Sequence, residues 1–218
     1  MALGETKALR KTSGRVSRRR EATTAEILEA AWQVAAEEGI AGLSLREVAD
    51  RVGMRTPSLY SYFGSKHDLY DAMFAAGNRA LVTHIRDMDK AMDNDLEQPA
   101  DPRERARAYL RRFVEFCVAE PARYQLLFQR TIPGFEPSPE SYALAQEAYE
   151  LAVLRPLREV GVTDEASIDL ATAVGAGLAA QQLANDPGGD RWLRLVDRAA
   201  DLILDHAHPS STAPRRTP

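Results

Sequence analysis

The sequence predicts an all-α protein with a small N-terminal three-helix domain and a larger C-terminal helical domain. Apolar residues recur at helical spacing along most of the chain. Ser, Thr, Asp, Gly or Pro stand where these stretches begin or end, and no segment has a convincing strand pattern. The predicted division is a basic arm over residues 1–20, the small domain over 21–68, the larger domain over 69–208 and a disordered tail over 209–218.

The basic arm has seven Lys and Arg residues and one Glu, a net charge of +6 in a chain whose net charge is −4. Its Gly, Ser and Thr content and its lack of apolar periodicity predict disorder. A cationic arm on an acidic body concentrates the attraction for phosphate at one end of the molecule. The arm is therefore a candidate for minor-groove contact, and the alternative is a tail that only aids solubility.

The small domain is predicted to begin with a helix that runs from a capping-box pattern at Thr23 to about Gly39. A second helix follows Ser44, which forms the same pattern with Glu47. It ends at Gly53, because glycine enters a left-handed turn without steric cost.

A third short helix follows, since Pro57 suits a first helical turn, where its missing N–H is no loss. Ser65 and Asp68 then form another capping pattern, which predicts a new helix from Lys66. A short helix, a tight turn and a second short helix are the layout of a helix-turn-helix, which places its second helix in the major groove of DNA.

Residues 59–66, LYSYFGSK, resemble the end of the signature of the TetR/AcrR family, and the similarity extends over about Thr23 to Phe74. The resemblance implies a dimeric, ligand-responsive transcription regulator with a helical effector-binding half. Arg55 departs from the family pattern, because a Ser or Thr often caps the recognition helix at this position.

Eight residues are predicted to contact DNA. Arg55, Thr56 and Ser58 start the recognition helix, and an arginine there can pair with O6 and N7 of guanine. By the resemblance, Tyr60 and Tyr62 place hydroxyls on phosphates, and Lys66 offers a cation at a helix N-terminus. Ser44 and Arg46 precede and start the other helix of the motif. The alternatives are a phosphate-bound or solvated Arg55 and tyrosines that only pack.

The larger domain is predicted to be helical throughout, with an acidic and proline-containing turn over residues 93–102. Pro156 predicts a kink or break in the helix over residues 141–160. Two long helices follow, over residues 164–184 and 190–207, separated by the turn NDPGGD.

The last two helices are predicted to form a homodimer. Ala171, Gly175 and Ala179 recur every four residues and would let another helix approach closely. The final helix carries a broad apolar stripe. The family pairs such helices across a two-fold axis, and a symmetric dimer suits a palindromic operator. The alternative is that the small residues pack within the chain.

The middle helices are predicted to hold an effector site, because ligand pockets are mostly apolar with few polar groups. The candidate lining residues are Tyr109, Phe113, Phe116, Tyr124, Phe128, Tyr149 and Gln181. This composition favours a small apolar organic effector, and its identity is not encoded in any motif.

Other classes of function fit less well. The four histidines are scattered, and no Cys/His pair or His-x-x-Glu pattern has metal-ligand spacing. No metal, cofactor or catalytic residue is predicted. An enzyme with an accessory DNA-binding domain, and a helical interaction module without DNA binding, remain the alternatives.

The only cysteine, Cys117, lies in an apolar helical run, so no intrachain disulfide can form and a reducing cytoplasm is expected. No apolar run is long enough to span a bilayer. Together these features predict a cytoplasmic DNA-binding regulator. A repressor is expected by the resemblance, with an activator or dual regulator as the alternative.

Overall fold

The computed structural model describes residues 2–94 and 101–207, and within these ranges it contains helices and no strand. The prediction of an all-α fold is thus confirmed. The helices are α1 (Ala2–Glu38), α2 (Leu45–Arg51), α3 (Thr56–Leu59), α4 (Lys66–Asn94), α5 (Pro102–Ala119), α6 (Pro121–Phe128), α7 (Pro139–Tyr149), α8 (Arg155–Glu159), α9 (Glu165–Asn185) and α10 (Val196–Ala207). Most of the predicted turn before α5, and the predicted tail, lie outside the described residues.

The N-terminal domain is built on the apolar faces of α1, α2, α3 and the first turns of α4. Ile27, Val34, Val48, Leu59 and Leu69 are among the buried residues of this core. The hydroxyl of Tyr70, also buried there, donates to the backbone oxygen of Ile40 at 2.8 Å. This bond ties the start of α4 to the segment between α1 and α2.

The structure differs from the sequence prediction at the N-terminus. Helix α1 already begins at Ala2, so residues 2–20 are helical, whereas a disordered arm was predicted. Thr23 lies inside this helix, where its hydroxyl donates to the backbone oxygen of Arg19 at 3.1 Å. The physical reason is that Ala, Leu, Lys and Arg all favour helix, and a helix that already has a packed C-terminal half needs no new nucleus.

Helix α4 is 29 residues long. It starts in the N-terminal domain and continues into the larger domain. The predicted domain boundary, between residues 68 and 69, therefore falls inside one continuous helix. The two domains are thus connected by an unbroken helical backbone.

Pro156 was predicted to kink or break its helix, but the chain remains helical from Pro139 to Glu159 and only changes its helix type there. A π-helical turn, Glu150–Leu154, separates α7 from α8, and Pro156 follows directly at the start of α8. Proline has no N–H to bond to the preceding turn, and an extra residue per turn accommodates that loss.

The small residues of α9 pack within the chain. Ala171, Gly175 and Ala179 are buried. A Cβ added to Gly175 would lie 3.1 Å from Cδ1 of Leu110 on α5. The prediction that these residues approach a second subunit is therefore wrong, because α5 of the same chain fills that space.

Helices α5 and α10 run antiparallel and are joined by a ladder of three Arg–Asp ion pairs. The pairs, one helical turn apart, are Arg103–Asp205, Arg107–Asp201 and Arg111–Asp197. Residues at this spacing lie on one side of a helix, so the ladder fixes the register of the two helices.

Cys117 is a buried residue of α5, and burial raises the pKa of its thiol. In the described ranges, no helix combines the length and apolarity that crossing a membrane requires.

Candidate DNA-binding surface and ligand cavity

The turn between α2 and α3 is held by backbone hydrogen bonds. Gly53 has a φ of +66°, a conformation that favours glycine. The N–H of Met54 donates to the oxygen of Ala49 at 2.9 Å. Ser44 occupies the N-cap position of α2 as predicted, but its side chain makes no capping hydrogen bond. The predicted capping box of α2 is thus absent.

The first residues of the recognition helix, α3, present their polar side chains outward. Leu59 is buried, whereas Arg55, Ser58 and Tyr60 are exposed and Thr56 is half-buried. Arg55 is the N-cap residue, yet its side chain forms no cap. Among the described residues its guanidinium has no hydrogen-bond or ion-pair partner, so it can reach another molecule without breaking an internal contact.

The far end of α3 is braced by Arg20 of α1. The Arg20 guanidinium donates to the backbone oxygen of Ser61 at 2.7 Å and lies 4.9 Å above the ring centre of Tyr62. A backbone oxygen that has no partner within a helix and the face of an aromatic ring are both favourable partners for a cation. This contact has no local sequence signal, because it joins residues 41 positions apart.

The remaining predicted DNA contacts differ in exposure. Arg46 projects from α2 with 83% of its side chain exposed, 3.9 Å from Asp50. Ser44 and Lys66 are half-buried. The Lys66 ammonium lies 3.5 Å from the backbone oxygen of Ala41 and 5.3 Å from the ring centre of Tyr70. It is thus turned toward its own domain.

The predicted cap of α4 is present. The Ser65 hydroxyl accepts the N–H of Asp68 at 3.1 Å. This capping bond fixes where α4 begins.

The larger domain encloses a cavity of about 310 Å³, with walls from every helix from α4 to α10. Four of the seven predicted lining residues line it, namely Tyr109, Phe113, Phe128 and Tyr149. Phe128 and Tyr149 are 39% and 36% exposed, which places the mouth beside them.

Phe116, Tyr124 and Gln181 do not line this cavity. Phe116 packs beside His84, with ring centres 5.8 Å apart. The Tyr124 hydroxyl donates to the backbone oxygen of Ala176 at 3.1 Å. Gln181 is exposed on the outer face of α9 and accepts a hydrogen bond from Asn185. All three were predicted from residue type, which does not specify the direction of a side chain.

The next residue, Gln182, is the buried glutamine of α9. Its side-chain oxygen accepts the N–H of Trp192 at 2.9 Å, and its nitrogen donates to the oxygen of Gly189 at 3.1 Å. Gln182 therefore holds the turn between α9 and α10 closed. It has a structural role in the described chain.

The cavity is mostly apolar, with few polar groups. Tyr109 bonds to Asp89 and to Arg155, and burial, followed by the bond to Asp89, raises the pKa of Tyr109 to about 12. At the mouth, the Tyr149 and Thr172 hydroxyls are 3.1 Å apart. Asn78 of α4 is the buried amide of the lining. Such a lining suits an apolar ligand with few polar groups.

Part of this chain is similar to known bacterial regulatory proteins. Residues 27–73 match the family of bacterial regulatory proteins, tetR family. The HTH-type transcriptional activator FasR of Mycolicibacterium smegmatis is 30% identical over 110 residues, which are 50% of this chain and 47% of FasR. The chain thus spans about half the length of FasR. Another relative, KstR2 of Mycobacterium tuberculosis, is named a repressor.

Solved structures share the fold along nearly their whole length. The regulatory protein SCO4313 has a TM-score of 0.67 and 21% identity, and the match covers 86% of this chain and 98% of that one. FadR from Bacillus subtilis, solved in complex with stearoyl-CoA, has a TM-score of 0.58 and 14% identity over 82% of this chain and 96% of that one.

The fold and the exposed face of α3 define a helix-turn-helix protein with a helical second domain. Residues 27–73, which include this motif, are similar to the bacterial regulatory proteins of the tetR family. The sequence relatives are named as HTH-type transcriptional activators, regulators or repressors.

Proposed function

We propose that this protein is a cytoplasmic, sequence-specific DNA-binding transcription regulator that acts as a homodimer and responds to a small apolar ligand. The observation that carries this proposal is the pattern of exposure on α3. Leu59 is 1% exposed, while Arg55 and Ser58 at the start of the same helix face outward. A helix anchored on one side and polar on the other can enter the major groove without disturbing its core.

The DNA contacts divide into two sets. Arg55, Thr56 and Ser58 read base edges, because they lie at the start of the recognition helix. Ser44, Arg46, Tyr60, Tyr62 and Lys66 hold phosphates, because they lie at the start of α2, after the end of α3 and at the start of α4. Lys66 must turn away from the oxygen of Ala41 to do so.

The basic segment over residues 1–20 adds an electrostatic contribution. Arg20 already touches the end of the recognition helix through Ser61. The helical extension that precedes it carries six further Lys and Arg residues and can follow the DNA backbone. The minor-groove contact expected of a disordered arm would require this segment to unwind, because an α-helix is wider than the minor groove. Deletion of residues 1–18 should then lower both the affinity and its salt dependence.

The dimer forms through the outer faces of α9 and α10. Leu170 on α9, Leu195 directly before α10 and Leu202 on α10 are large apolar residues that are 42%, 36% and 65% exposed. On α9 the same side carries Gly177, and a Cβ added there would meet nothing within 4 Å. Two such helices from each subunit can pack as a four-helix bundle. The two recognition helices then match a palindromic operator.

Ligand binding in the cavity shifts the protein between states with different spacing of the two recognition helices. Helix α4 connects the two sites, because it lines the cavity at Asn78 and Leu81 and begins beside α3 at Lys66. We propose a repressor that leaves its operator when ligand binds. Activation is the second candidate, favoured by the name of FasR.

The experiment is a selection from random duplex DNA with the purified protein, followed by affinity measurements over a range of salt concentrations. A palindromic consensus and a steep salt slope are the expected results. Recovery of no consensus would contradict the proposal of a sequence-specific dimer.

Variants then separate the two sets of contacts. Arg55→Ala should relax the preference at one base position, at a cost of about 1–3 kcal/mol for the preferred sequence. Tyr62→Phe and Lys66→Ala should weaken binding on all sequences alike. Arg158→Ala, which removes an equal charge from the exposed side of α8, is the matched control and should leave binding unchanged. A uniform loss for Arg55→Ala would make Arg55 a backbone contact.

A further inference from the structure

Asn78 is a buried amide in the wall of an otherwise apolar cavity. It is 2% exposed, lies on α4 and lines the cavity with Leu81 of the same helix. Buried polar groups in proteins are normally paired, so each unpaired atom of such a group requires a physical account. Asn78 has one such atom.

The orientation of the amide follows from its one hydrogen bond. The Asn78 Nδ2 donates to the backbone oxygen of Phe74 at 3.0 Å. A carbonyl oxygen only accepts, so the amide nitrogen must be on that side and the oxygen on the other. Among the described residues, none donates a hydrogen bond to Asn78 Oδ1. The cavity wall therefore contains an acceptor without a donor.

The remaining polar side chains of the cavity carry hydroxyls, and these hydroxyls are already paired. The Tyr109 hydroxyl bonds to Asp89 and Arg155. The Thr172 hydroxyl donates to the backbone oxygen of Ile168 at 2.9 Å, so its oxygen accepts from Tyr149 at the mouth. Asn78 is thus the side chain of the lining whose pairing is left to a ligand.

We propose that the cavity binds a mostly apolar ligand that donates one hydrogen bond, from a hydroxyl or an N–H group, to Oδ1 of Asn78. This inference deepens the proposed ligand response and rests on it. A volume of about 310 Å³ accommodates about ten non-hydrogen atoms, at roughly 30 Å³ for each group of the size of a water molecule. An apolar chain with one donor satisfies both the lining and the amide.

The test compares two isomers of equal size, octanol and heptyl methyl ether, by titration calorimetry on the whole protein. Both have an apolar chain and one oxygen, but only octanol donates a hydrogen bond. Octanol should bind about tenfold more tightly, the effect of one buried hydrogen bond. Equal affinity, tighter binding of the ether, or no binding of either isomer would each overturn the inference.

Variants of the protein test whether Asn78 is the residue that accepts the hydrogen bond from the ligand. Asn78→Leu should remove the preference for octanol, whereas Thr172→Val, which removes a hydroxyl from the mouth of the same cavity, should retain it. Circular dichroism shows whether Asn78→Leu folds, and Asn78→Ala replaces it if it does not. Should neither fold, the isomer comparison on the unaltered protein decides alone. A preference that survives in a folded Asn78 variant, or is lost in Thr172→Val, would overturn the assignment to Asn78.

DNA binding is measured beside these titrations, so the two proposals can fail separately. Release of operator DNA by both isomers with equal affinity would contradict the inference and leave the proposed regulator intact. A clear preference for octanol in a protein that selects no DNA sequence would support the inference and contradict the proposed function.

Discussion

Asp71 of α4 accepts the backbone N–H of Ser138 at 2.7 Å and the Ser138 hydroxyl at 2.9 Å. Ser138 is the N-cap residue of α7, and its hydroxyl also accepts the N–H of Ser141. The Ser141 hydroxyl donates to the same Asp71 carboxylate at 2.9 Å. The start of α7 is thus attached to α4 close to the DNA-binding domain. Since later residues of α7 line the cavity, Asp71 connects the cavity wall to the part of α4 that lies in the N-terminal domain.

This anchor should contribute measurably to stability. Asp71→Ala leaves the Ser138 N–H and two hydroxyls without their acceptor, so it should lower the free energy of unfolding by about 2 kcal/mol. Urea unfolding measures the change. Asp87→Ala is the matched control on α4, because its exposed pair with Lys90 should contribute less than about 1 kcal/mol. Equal effects would contradict a special role for Asp71.

The ion-pair ladder between α5 and α10 should depend on charge complementarity. The middle pair, Arg107 and Asp201, has a distance of 2.6 Å between Nη2 and Oδ1. Arg107→Asp or Asp201→Arg alone should destabilise the fold by about 1 kcal/mol, since like charges then face each other. The double exchange should restore most of that loss, and high salt should reduce the coupling. Additive losses in urea unfolding would show that the pair contributes nothing.

The outer face of α10 should determine the oligomeric state. Leu202 is 65% exposed, and Leu202→Arg places a charge in the centre of the proposed four-helix interface. Light scattering after gel filtration should give a dimer for the natural sequence and a monomer for the variant. Ala143→Arg, on an exposed position of α7, is the control and should remain dimeric. A dimer that persists in Leu202→Arg would place the interface elsewhere.

His84 should make the fold sensitive to acid. Burial, and then the charge of Arg112, lowers the pKa of His84 from its usual 6.5. The unfolded chain then binds a proton at a pH where the folded chain does not, so stability is present above about 6.5 and is lost as the pH falls through this value. In His84→Leu, the loss of unfolding free energy between about pH 8 and about pH 5 should be smaller. An unchanged loss would assign the acid sensitivity to other groups.

Much of the DNA-binding domain could be predicted because its signals are local. The positive φ of Gly53, the position of Pro57 and the Ser65 cap are each encoded within a few residues. The helix bounds of α2, α3 and the start of α4 follow from them. The extent of α1 could not be predicted in this way, because helix propensity over residues 2–20 competes with the compositional signs of disorder.

The cavity could be predicted only as a class of site. Aromatic residues mark the helices that form it, and four of the predicted residues line it. A polar residue such as Asn78 carries no sequence signal for a cavity, since only the packing of α4 against the other helices shows what it faces.

The sequence by itself determined the helical fold class, the helix-turn-helix and an irregularity in the helix at Pro156, because neighbouring residues decide backbone conformation. Tertiary structure alone decided which side of each helix is covered. It buries Gln182 and exposes Gln181, and it turns Gly175 toward Leu110. It also brings Arg20 to Tyr62. The physical reason is that helical periodicity defines faces but not their partners, and the choice of partner depends on how distant segments fill space together.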